Sequence, residues 1–196
     1  MKSLNSYLLV FIVAVFLVQL ITGLEGGFTT SFWLDPSNFF SEPWRIITSM
    51  FLHGSFLHLF FNCFALFMFG PLLENRVGKK NFLAIFLLAG IIGAIAYYAT
   101  TVIGIIPALP ALGASGGIFG VLGALAILYP DLRIFIWFIP MSMKQAAIFW
   151  FVLELLGSFN AGSGIGSAAH LGGLIFGLAA GYYFKKKTRI RPPVFN

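Results

Sequence analysis

Long apolar runs broken by short polar segments dominate the chain, and six runs are long enough to predict helices. They cover about Tyr7–Leu24, Phe56–Leu73, Phe82–Ile103, Ala114–Tyr129, Gln145–Phe159 and Ala168–Phe184. Six such helices make the expected class all-α, a polytopic membrane protein. The fourth and fifth runs are short for a bilayer, which takes roughly 20 residues per helix. Short or broken spans go with a water-filled cavity or a thinned membrane. Residues 3–24 carry no charge and show no small-residue cleavage site, so the first run reads as a spanning helix and not as a signal peptide.

Composition places these runs in a membrane. The 196 residues are 59% hydrophobic and 9% charged, with mean hydropathy +0.95. A soluble domain of this length would need far more charged surface. The net charge of +6 does not point to nucleic acid, because the basic residues sit in short clusters between apolar runs. With six spans, eleven of the twelve Lys and Arg fall on the side of the termini and Arg45 falls on the other. That bias makes both termini cytoplasmic, with a multi-pass protein of the cell membrane as the expected location. Spans one, three and five then run outward, and two, four and six run inward. The single cysteine, Cys63, excludes an internal disulfide and reads as packing.

Two outer segments stand out. Residues 25–55 carry Phe28, Phe32, Trp33, Phe39, Phe40, Trp44 and Phe51, interrupted by Pro36 and Pro43. Such aromatic density belongs at a membrane interface, so this loop is expected to lie partly in the outer leaflet. Residues 157–168, GSFNAGSGIGSA, read as a mobile loop capping an outward cavity. The Phe-rich fifth span, with Phe149, Trp150 and Phe151, reads as lipid-facing. The basic run that begins at Lys185 reads as a cytoplasmic anchor.

Candidate chemistry comes from polar residues at membrane depth, where each is costly and therefore informative. Ser115 lies in GASGGIFG, among Gly113, Gly116, Gly117 and Gly120. Small residues at spacing four also serve close helix packing, so this stretch alone leaves two readings open. The histidines narrow the choice. Ser115 lies 15 residues before Pro130, His170 lies 15 before Lys185, and His58 lies 16 before Glu74. All three helices run inward, so each group sits roughly 22–24 Å above the inner edge. Asn62 follows His58 by four residues on the same helix face. Ala169, Gly173, Gly177 and Gly181 give the sixth span a flat face to press against Gly116 and Gly120. His170 could then act as base to Ser115, with His58, Asn62 and the Ser115 N–H facing an oxyanion. No Asp lies in any span, so the arrangement reads as a dyad. Glu154, near the outer end of the fifth span, reads as a charge reaching interfacial water, with a cavity-facing role as the alternative.

At these residues the chain closely resembles the rhomboid family of intramembrane serine proteases. GASG at 113–116, AHLGGLIFG at 169–177, HGSFLHLFFN at 53–62, Trp44-Arg45 and the ENR run at 74–76 match five family motifs in order. The resemblance implies Ser115 as nucleophile, His170 as base, His58 and Asn62 as oxyanion residues, and His53 as a structural histidine. It implies a six-helix rhomboid-like bundle of the minimal prokaryotic form, forming one domain over residues 1–196. It also implies cleavage of transmembrane segments of other proteins near the outer face, without metal or organic cofactor. Gly117 and Phe119 depart from the usual pattern. A larger small residue is common at the first position, so looser packing near Ser115 is expected. A tyrosine that stacks under the base is found at the second in some members. A non-catalytic rhomboid-like protein that escorts membrane clients is the rival class. A small transporter is a third, without a visible inverted repeat to support it.

Overall fold

The computed structural model of the chain describes residues 3–136, 138–158 and 166–188. The six apolar runs become α1 (Leu4–Thr22), α4 (Phe56–Val77), α5 (Lys79–Val102), α6 (Ser115–Leu128), α7 (Met143–Gly157) and α8 (Ser167–Thr188). Between α1 and α4 lie two short helices, α2 (Gly27–Phe32) and α3 (Arg45–Thr48), with single 3-10 turns at Pro36–Asn38 and Ser49–Phe51. Among the described residues, α1, α4 and α5 are long and apolar enough to cross a membrane, and α6 is apolar but shorter.

α6 is the centre of the bundle. It is apolar around its whole circumference, and eleven of its residues from Gly116 to Leu128 are buried. A helix of that kind must be enclosed by others. Its most extensive contact is with α8, followed by α5. The reason is the small-residue face expected from the sequence. A Cβ at Gly173 would overlap the Gly116 carbonyl oxygen, and one at Gly177 would overlap the Gly120 carbonyl oxygen. At Gly181 it would stand 2.7 Å from the Ala124 oxygen. The backbones touch directly, a packing that only glycine permits.

Charged and polar groups tie down the first helix. Glu74, in the last turn of α4, accepts from the Ser3 hydroxyl at 2.8 Å, the Leu4 N–H at 3.0 Å and the Asn5 N–H at 2.7 Å. It satisfies the orphan donors at the start of α1 and places a negative charge at the positive end of that helix. At the other end, the buried Gln19 donates to the Thr29 hydroxyl at 3.1 Å and accepts the His53 N–H at 2.9 Å. Arg45 holds the outer segment together, donating to the Thr30 and Trp33 carbonyls and pairing with Glu42 at 2.7 Å. Phe40 and Trp44 remain exposed on that segment, where the sequence placed an interfacial element.

One element is not predicted by the apolar pattern. Residues after α6 form a hairpin of β1 (Arg133–Ile136) and β2 (Ile139–Ser142), paired antiparallel. The expected class therefore holds for the bundle, with this two-stranded hairpin added.

Candidate active site

Ser115 is the first residue of α6, directly after the N-cap residue Ala114. The first N–H groups of a helix have no partner within it, so the region around Ser115 carries the positive end of α6. The chain enters this helix under close control. Leu34 and Ala111 exchange backbone hydrogen bonds of 2.9 and 2.8 Å, the Tyr97 hydroxyl donates to the Leu109 carbonyl at 2.7 Å, and the Gly113 N–H donates to the Ser49 carbonyl at 2.9 Å. Gly113 has φ +127°, and a Cβ there would lie 2.7 Å from the His58 imidazole. Both the conformation and the space at this position call for glycine.

His170 lies in the first turn of α8. Its Nε2 is 2.7 Å from the Ser115 Oγ, across 55 residues of sequence. The close backbone contact of α6 and α8 just below brings the two together. Phe119, one turn along α6 from Ser115, stacks on the His170 ring with centroids 4.5 Å apart and planes 7° from parallel. Its phenyl ring thus makes the stacking contact without a hydroxyl. Trp150 packs edge-on to Phe119 at 6.2 Å and lines the site cavity. The expected lipid-facing placement of Trp150 is therefore corrected: it turns inward. Phe149, the residue before it, is exposed.

His58 and Asn62, one turn apart on α4, line the same cavity as Ser115 and His170. The Asn62 amide donates to the His58 carbonyl at 3.0 Å. His53 is fully buried behind His58, its ring edge-on at 5.0 Å, and lies outside the cavity lining. Burial, aided by neighbouring His58, pushes the His53 imidazole down to about 3, so it is neutral. Gly173 and Gly177 lie on the α8 face against α6 and do not line the cavity. Gly116, which also presses against that face, reaches the lining. The cavity has a volume of about 990 Å³ and extends from Ser115 to the outer segment at Leu34 and Ile46. That is room for several residues of an extended peptide and for water.

Packing at Gly117 differs from the sequence expectation. A Cβ there would stand 2.7 Å from the Phe86 ring and from the Phe86 carbonyl oxygen. The glycine fits a tight contact with α5 and does not loosen the site. The reading of 157–168 as a cap falls largely on residues 159–165, which lie outside the described residues. The last part of the basic tail, from residue 189, does so too.

By sequence Glu154 reads first as an interfacial charge and second as a cavity-facing one. Its Oε1 instead lies 3.1 Å from His170 Nδ1, with both side chains largely buried. Gln19, which holds the backbone at His53, drew no attention in the sequence at all. A lone amide in an apolar helix was the available signal.

The family model described as the Rhomboid domain matches residues 41–187. The chain is 48% identical over 59 residues to the putative rhomboid protease YdcA of Bacillus subtilis, covering 30% of each chain. It is 30% identical over 157 residues to Rhomboid-like protease 2 of Toxoplasma gondii, covering 79% of this chain and 52% of that one. It is 39% identical over 54 residues to a protein of Arabidopsis thaliana named Inactive RHOMBOID-like protein 8, covering 28% and 15%. The chain spans about half or less of the length of these curated relatives.

Proposed function

The chain belongs to the rhomboid family, and from that premise we propose that it is an intramembrane serine endopeptidase with Ser115 as nucleophile and His170 as general base. As a member of this family of serine proteases it is a multi-pass membrane protein. The observation that carries the reading is the 2.7 Å separation of Ser115 Oγ and His170 Nε2. That distance lies within the range over which a general base takes a proton directly.

The steps follow from the geometry. Nε2 of neutral His170 accepts the Ser115 hydroxyl proton as Oγ attacks the scissile carbonyl carbon. Negative charge develops on the carbonyl oxygen. The Ser115 N–H at the positive end of α6, the His58 side chain and the Asn62 amide are the donors for that charge. The imidazolium then gives its proton to the leaving amine, and the peptide bond breaks. Water entering by the cavity loses a proton to His170 as it attacks the acyl-enzyme, and His170 returns that proton to Ser115 Oγ as the acyl bond breaks and the carboxyl product leaves. Phe119 holds the imidazole plane throughout by stacking. Gly113 contributes by letting His58 approach the nucleophile.

The proposed substrates are transmembrane segments of other proteins, cut near the outer face at sites with small, helix-weakening residues. The positive-inside rule supports cytoplasmic termini in the cell membrane, which puts the cavity on the outer side. The rival, a non-catalytic escort of membrane clients, gains a precedent from the relative named inactive. It assigns no use to a serine and histidine at hydrogen-bonding distance. Purified protein reconstituted with a panel of single-span substrates decides between them. The proposal expects a discrete internal cut, mapped by mass spectrometry, that is absent with Ser115→Ala. Intact substrates across the panel, co-purifying with the protein, would support the escort instead.

A further inference from the structure

An imidazole that takes a proton on one nitrogen must present the other correctly. For Nε2 of His170 to accept from Ser115, the ring proton must sit on Nδ1. Nδ1 is buried, so its proton faces protein and not water. What the fold brings to it is the Glu154 carboxylate, with Oε1 at 3.1 Å. The imidazole of His170 thus stands between Ser115 on α6 and Glu154 on α7.

Three further observations bear on this contact. The Glu154 side chain is only 14% exposed, so it does not reach out to interfacial water as a near-terminal charge ordinarily does. A carboxylate at such a depth calls for polar partners, and the fold supplies His170 Nδ1 at 3.1 Å and a hydrogen bond from the Ser167 side chain. The backbone under Glu154 is fixed as well. Its carbonyl accepts the Ser158 N–H at 2.9 Å and the Ser158 hydroxyl at 2.7 Å, which closes the last turn of α7. The Nδ1···Oε1 contact has the length of a hydrogen bond but lacks the straight N–H···O line of a full one. Contacts to a catalytic base commonly tighten only when substrate is bound.

We propose that Glu154 is a positioning residue for His170. It selects the tautomer with the proton on Nδ1, fixes the in-plane rotation that aims Nε2 at Ser115, and faces the imidazolium while the proton is held. Phe119 sets the plane of the ring from below, and Glu154 sets its rotation within that plane. The inference rests on the reading of Ser115 as nucleophile and His170 as base, and it adds a third group to that pair. Atoms balance without any co-reactant: one proton passes from Ser115 to Nε2 and on to the leaving amine, while the Nδ1 proton stays in place.

The test compares Glu154→Gln with Glu154→Met in the reconstituted protein. Both match the size of glutamate, but only Gln offers an oxygen to Nδ1–H. Cleavage of a single-span substrate gives kcat and KM, and thermal unfolding in detergent checks the fold. Glu154→Met should lower kcat by about 10²-fold with KM nearly unchanged, since misaiming a catalytic group by an ångström costs about that much. Glu154→Gln should recover a large part of the loss. Fluorophosphonate labelling of Ser115 should slow in the same order, which a packing role would not produce. Equal kcat in Met, Gln and wild type would overturn the proposal. So would a loss that appears in KM alone, or one equal in Met and Gln. If Met fails to fold, Gln against wild type is read in its place, with a reduced kcat at constant KM expected and an unchanged kcat overturning. The underlying reading fails separately: wild type would be inactive, or Ser115→Ala would still cleave.

Discussion

Adding a side chain at Gly177 tests whether the α6–α8 contact sets the catalytic distance. A Cβ there overlaps the Gly120 carbonyl oxygen and lies 2.7 Å from the Gly120 carbonyl carbon and 2.8 Å from its Cα. These are backbone atoms of α6, so no rotamer change relieves the overlap. Ordinary carbon contacts begin near 3.5 Å, so the helices must separate by roughly 0.7 Å or more. Overpacking of this order costs about 1–3 kcal/mol. The same displacement, carried two turns up α8, opens the 2.7 Å Ser115–His170 bond beyond direct proton transfer. Misplacement by about 1 Å costs on the order of 10² in rate. Gly177→Ala should therefore lower the unfolding midpoint in detergent and slow cleavage, and Gly177→Val should do both more strongly. Gly27→Ala is the control, since nothing lies within 4 Å of a Cβ there. It should melt and cut like wild type. If Gly177→Val matched wild type in both, backbone contact of α6 and α8 would not be what sets the Ser115–His170 distance.

Two further outcomes follow from the same geometry. Removing the proposed oxyanion donors with His58→Ala or Asn62→Ala should lower kcat more than it raises KM. Loss of one such donor costs about 10²–10³ in rate elsewhere, and the Ser115 N–H and the remaining side chain make a smaller loss reasonable here; an unchanged kcat in the double variant would remove both residues from that role. Glu74→Ala should lower the unfolding midpoint by the loss of three hydrogen bonds at the start of α1, since caps of this kind are worth about 1 kcal/mol or more. Cleavage per folded molecule should persist, and a dead but fully folded variant would show that Glu74 acts on the site.

Much of the site was legible because membrane burial makes polar residues rare. Ser115, His170 and His58 could be aligned by counting residues from the inner ends of their helices, a count that works because helix rise is constant, and Asn62 follows His58 by one turn on the same face. The glycine face of α8 was legible from its spacing of four. Helix ends were less so: α4 runs four residues past the apolar stretch to Val77, and its polar last turn carries the Glu74 that caps α1. Rotation of a helix about its own axis is not carried by its apolar residues when the surroundings are lipid. Hence the sequence alone reads Trp150 as outward and Glu154 as interfacial, whereas α7 turns Trp150 against Phe119 and Glu154 against His170. Gly117 looked like a gap because its neighbour, Phe86 of α5, lies 31 residues away in sequence. The hairpin of Arg133–Ser142 lay between two apolar runs and carried no alternation long enough to read.

The most direct measurement of the central claim is labelling of the reconstituted protein with a serine-reactive fluorophosphonate, with the modified residue mapped by mass spectrometry. Ser115 is a weak nucleophile unless His170 removes its proton, so labelling reports the pair and not the serine alone. Wild type should be modified at Ser115, whereas Ser115→Ala and His170→Ala should both remain unlabelled while folding normally. His53→Ala, which removes a buried histidine outside the cavity lining, should still label as far as it folds. Labelling at another residue, or undiminished labelling of Ser115 in His170→Ala, would contradict the account.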